Sequence, residues 1–124
     1  MSLRLPATEA KYQADIKAGR TQSLSEVPSL KEFEYWRIIP NKYPHDRIYR
    51  IHNMLVPKRV FPSLMNATKP ERREYFQLLT SELINDYDCA AMNFPSQQSI
   101  TNHFHTHLGV VKSDILPRLK PMGF

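Results

Sequence analysis

Cysteine is nearly absent: Cys89 is the only one in 124 residues. A lone thiol closes no internal disulfide and builds no multi-cysteine zinc module, and in a chain with no recognisable signal peptide it fits a reducing cytoplasm. No apolar run approaches the roughly 18 residues that a membrane helix needs, so no membrane is expected as a partner. Glycine is also scarce, with three residues in all, which leaves few places where bare backbone can wrap a phosphate. Repeats and low-complexity tracts are missing. Acidic residues are outnumbered, 12 against 17 Lys and Arg, for a formal charge of +5. That balance attracts anions at long range. The basic residues are nevertheless scattered in clusters as short as "PKR" (57–59) and "ERR" (71–73), which argues against nucleic acid as the main partner.

The length suits one domain, large enough to bury roughly two thirds of the surface of its unfolded chain. Residues 1–30 read as a peripheral helix and linker, and residues 31–124 as the main body. "ATEAKYQADIKAGR" (7–20) has the marks of a short helix: Thr8 as N-cap, Tyr12 and Ile16 four apart, and Gly19 as the stop. "TQSLSEVPSL" (21–30) has the chemistry of a loose linker. Extended segments are expected at "FEYWRII" (33–39), "RIYRIHNMLVP" (47–57), "CAAMNF" (89–94) and "HFHTHLGVV" (103–111). The second of these is partly apolar on both faces, as suits a strand covered in part on each side. Between them "ATKPERREYFQLLTSELINDY" (67–87) is the clearest helix. Thr68 and Glu71 form a T-x-x-E capping box, Pro70 sits in the first turn, and Tyr75, Phe76, Leu79 and Leu83 make an apolar stripe. Several strands with one capped helix among them predict an α+β domain with a mainly antiparallel sheet.

Three of the five histidines fall in "TNHFHTHLGVV" (101–111), at His103, His105 and His107. Side chains alternate across a strand, so the three project together, successive rings within about 7 Å. One reading is a histidine-rich surface strand without a role. A second is a metal site, to which His45 and His52 could add, although the loop before it offers amides and hydroxyls rather than acids. The third is nucleophilic catalysis at phosphorus. A neutral imidazole attacks, a neighbouring one supplies a proton, and a covalent phosphoramidate divides one hard displacement into two easier ones. The segment just upstream provides the donors such a site needs, in Asn93, Gln97, Gln98, Ser99 and Thr101.

With these residues the chain resembles the histidine triad (HIT) superfamily of nucleotide hydrolases and transferases, whose motif alternates three histidines with apolar residues. "HFHTHLG" carries the triad, "HNMLVPKR" is similar to the family's H-x-L-V-x-P-K segment, and "WRIIPNKYP" to its nucleoside-holding strand and turn. The similarity runs in family order over about residues 33–111. It implies a HIT-like, mainly antiparallel five-stranded sheet with one main helix and a short N-terminal helix. It also implies a nucleotide substrate, most often purine, with no cofactor and no resident metal, and homodimers are common in the family. Residue by residue, His105 would attack the α-phosphate and His103 would orient it. His107 would lie near the leaving group, and His52 would approach the triad across the sheet. Asn41 would hold the ribose, with Trp36 and Ile39 walling the base; core packing for Trp36 and a turn role for Asn41 are the alternatives. Asn93, Gln98 and Ser99 would hold the phosphate. Three departures stand out: Thr106 replaces an apolar residue, Val60 a further histidine, and the approach to the triad has lost its glycines. A non-catalytic nucleotide-binding module is the alternative function.

Overall fold

The computed structural model describes residues 2–94, 96 and 100–122. Helix α1 (Pro6–Lys17) leads through a polar strap to β1 (Lys31–Glu32), β2 (Trp36–Pro40) and β3 (Tyr49–Pro57). Helices α2 (Lys69–Ser81) and α3 (Leu83–Asp86) then cross to β4 (Cys89–Ala91), β5 (Thr106–Val111) and a final short helix, α4 (Leu116–Leu119). The strands form one five-stranded sheet in the order β1-β2-β3-β5-β4, with every described pairing antiparallel. The protein is therefore α+β, as its pattern of elements predicts. Among the described residues no helix is long and apolar enough to cross a membrane.

Helix α2 starts where its capping box says it should. Thr68 accepts from the Glu71 N–H, and the Glu71 carboxylate accepts from the Thr68 N–H at 2.7 Å. The buried stripe is Glu71, Tyr75 and Leu78, with Leu79 packed beside it. Phe76 is 61% exposed, against expectation, because it lies about 100° round the helix from Tyr75. The expected helix also breaks after Ser81, so that Leu83 belongs to α3. At the N-terminus Pro6 opens α1, and Thr8 caps nothing; its hydroxyl donates to Asp46. Gly19 ends the helix in the left-handed region at φ 67°.

The sheet is covered on both faces. Trp36, Ile38, Leu55 and Leu108 pack with Phe61, Phe104, Tyr75, Leu78 and Leu83 on the side of α2. On the other face Ile39, Met54 and Val56 pack against Leu24 of the strap. The last strand is shorter than its composition suggests, running from Thr106 rather than from His103. Pro57 has no N–H to extend the β3 ladder. There the incoming chain leaves the ladder, the His103 ring bonding the Pro57 carbonyl and the Phe104 N–H the Phe61 carbonyl.

Candidate active site

His103, His105 and His107 nonetheless line one cavity, although only His107 lies within β5 and His103 sits in a bend ahead of it. Phe104, Thr106 and Leu108 point the other way, into the layer beneath α2. The three imidazoles line a cavity of about 610 Å³ whose opposite wall is the N-terminal segment: Arg4, Tyr12, Ile16 and residues 21–25. The turn after β2 supplies Asn41, Lys42, Tyr43 and His45.

Hydrogen-bond partners assign a tautomer to four of the five rings. The His45 main-chain N–H donates to His52 Nδ1 at 2.8 Å, so neutral His52 carries its proton on Nε2. That proton points at His107 Nδ1, 2.8 Å away, which leaves the His107 proton on Nε2. The His103 Nε2–H donates to the Pro57 carbonyl and the His105 Nδ1–H to the His103 carbonyl, both at 3.1 Å. His105 therefore keeps an unshared pair on Nε2, and its ring stands edge-on to His107 at 5.1 Å between centroids.

Burial keeps these rings neutral. His52 and His107 are both pushed down to about 3, first by desolvation and then by neighbouring imidazoles and Arg4. His103 and His105 are also lowered by burial, which a hydrogen bond to a carbonyl partly offsets in each case. A neutral imidazole with a free nitrogen is the form that attacks an electrophile. Among the described residues no three His, Cys, Asp or Glu side chains are grouped to hold a metal ion. The His52 and His107 nitrogens that face each other share a proton at hydrogen-bond distance.

The other sequence candidates divide. Asn41 lines the cavity, but its Oδ1 accepts from the Tyr43 N–H at 2.9 Å, the turn role. Asn93 lines the cavity. His52 sits behind His107 as its partner rather than on the wall. Ile39 is fully buried under the cavity with Met54 and Leu24. Trp36 does not wall the site: it lies on the opposite face, fully buried, its ring N–H donating to the Glu71 carbonyl at 2.8 Å. Gln98 and Ser99 lie outside the described residues.

Two contributors lie outside the catalytic and substrate-binding set read from the sequence. His45 sits in a turn, and the sequence offered it only as a possible additional metal ligand. Its ring stacks on His107 at 5.4 Å and tilts against His52 at 4.6 Å. Arg4 reaches the cavity because its Nε donates to the Tyr43 carbonyl at 2.8 Å and its guanidinium lies over the Tyr12 ring. Comparison with known proteins adds no name to this site: no family model, no curated protein and no solved structure matches the chain significantly.

Proposed function

We propose that the protein is a nucleotide hydrolase or nucleotidyl transferase of the histidine triad type, acting at the α-phosphate through a nucleotidyl-His105 intermediate. One observation carries this reading: the His105 Nδ1–H is held by the His103 carbonyl, so the unshared pair sits on Nε2, in a ring that lines a nucleotide-sized cavity. Nε2 attacks the α-phosphorus, the P–N bond forms, and the bond to the leaving group breaks with its electron pair going to the leaving atom. The His107 Nε2–H donates to the phosphate or the leaving atom and stabilises the developing charge. Water or another acceptor then attacks phosphorus, the P–N bond breaks, and His105 recovers its lone pair. His52 acts through His107, whose tautomer it fixes, and the five-stranded antiparallel sheet and the "HNMLVPKR" segment support the assignment of these roles. A purine nucleoside 5′-phosphate derivative is the expected substrate.

The test is turnover of adenosine 5′-phosphoramidate and of dinucleoside polyphosphates by wild type and by His105→Asn. The variant is expected to lose on the order of 10³-fold or more in rate while its affinity for AMP stays within a few-fold. Equal rates in the two proteins would sink the mechanism, and binding without turnover by wild type across both substrate classes would make the protein a nucleotide-binding module instead.

A further inference from the structure

Resting on the His105 reading, the second half-reaction needs a base for the attacking water, and the triad does not supply an obvious one. His105 is then occupied by the nucleotidyl group. His107 has Nδ1 filled by the His52 proton and presents only an N–H from Nε2, so it can donate but not accept. His103 is tethered through Nε2 to the Pro57 carbonyl and keeps its unshared pair on Nδ1, so it is the rival base within the triad. His45 lines the cavity, and among the described residues no hydrogen bond engages either of its ring nitrogens; its main-chain N–H donates to His52 and its carbonyl accepts from the N–H groups of Ile48 and Tyr49.

We infer that His45 is a further catalytic residue, the general base that takes the proton from the water hydrolysing nucleotidyl-His105. As water attacks phosphorus, its proton passes to the neutral His45 ring and the P–N bond breaks. The electron pair returns to His105 Nε2, and the products are the nucleoside monophosphate and protonated His45, which then releases its proton to solvent. His45 stacks on His107 at 5.4 Å, His107 lies 5.1 Å from His105, and all three line the same cavity. The surroundings hold His45 in the form a base needs. Desolvation and then Arg4 lower it, against opposing pulls from Glu9 and Asp46, and the rings packed on it, His52 and His107, are themselves neutral at pH 7. Arg4 comes from the N-terminal segment, so that segment adds to the lowering that burial begins as well as walling the cavity.

His45→Gln tests this cleanly, because the bond that fixes the His52 tautomer comes from the main chain and survives the change. Wild type and variant are mixed with excess adenosine 5′-phosphoramidate and quenched in alkali, where a histidine P–N bond persists. Leaving group and protein-bound nucleotide are then measured through the first turnovers. The expected result for His45→Gln is a burst near one equivalent at close to the wild-type rate, accumulation of nucleotidyl-enzyme, and steady-state turnover about 10²-fold lower. Added free imidazole should restore part of that loss. Wild-type steady-state turnover in the variant, or burst and steady state falling together, would overturn the assignment and leave His45 a wall residue. A wild-type protein that turns over substrate without ever carrying the nucleotidyl group removes the His105 reading itself, and the base with it; that outcome is seen before any variant is made.

Discussion

Thr106 shows how a single departure from a pattern can carry a reason. It stands where an apolar residue is expected, yet its hydroxyl meets the Tyr75 hydroxyl at 2.8 Å, both residues buried, so the pair ties the strand of the triad to α2. Thr106→Val keeps the shape and strands the Tyr75 hydroxyl in the core, which should cost about 1–3 kcal/mol. Urea unfolding reads this directly, and the double change Thr106→Val with Tyr75→Phe should recover much of the loss. A single variant as stable as wild type would mean that the Tyr75 hydroxyl finds another partner. The residue scale is also where sequence reading reaches its limit. Three imidazoles on one face were legible from alternation alone. Their tautomers were not, because they are set by the carbonyl of Pro57, by the carbonyl of His103 and by the N–H of His45, and strand periodicity encodes none of these. Trp36 misled for a related reason. Neighbours Trp36 and Ile39 read as one wall, but strand alternation puts them on opposite faces, and only Ile39 lies beneath the cavity.

Elements whose signals are local were read well, and those that depend on a distant anchor were not. The start of α2 is written in Thr68, Pro70 and Glu71 and forms there. Residues 21–30 carry linker chemistry, and nothing local says that they lie over the sheet. What holds them is Arg37, 8% exposed, whose guanidinium donates to the carbonyls of Leu24 and Val27 and to the Ser29 hydroxyl. A buried cation satisfied by three neutral acceptors keeps its positive field close under a cavity proposed to take a phosphate. Arg37→Met removes all three bonds, leaves the two carbonyls without this donor, and should cost about 1–3 kcal/mol. The loss should be local: amide exchange in residues 20–30 speeds up while α2 stays protected, and nucleotide affinity falls as the wall loosens. Unchanged exchange in the strap would mean that Leu24 in its apolar pocket, and not the arginine, holds the segment down.

At the scale of the whole molecule the five histidines set the acid limit of the fold. All five are lowered from 6.5, and His52 and His107 reach about 3. Between those values the unfolded chain binds more protons than the native one, so stability rises with pH across that window and is lost as pH falls below about 6.5. The carboxylates work elsewhere on the scale. Asp15 is lowered from 3.8 chiefly by the Tyr43 hydroxyl and Glu71 from 4.5 chiefly by Arg59, so their share is lost only below about 4.5. A fall in melting temperature between about pH 7 and pH 5 therefore reports chiefly the imidazole cluster. The expected result is a clear drop across that interval in wild type and a shallower one in His107→Gln, which removes one titrating ring and its repulsion of His52. A melting temperature flat from pH 7 to pH 5 would require protonation to be accommodated in the native state, with the cluster opening to solvent. The net charge of +5 pushes the same way, since each added proton raises the self-repulsion of an already basic chain. A cavity that keeps its imidazoles neutral, the form that the proposed attack at phosphorus needs, is thus the part of the molecule that gives way first in acid.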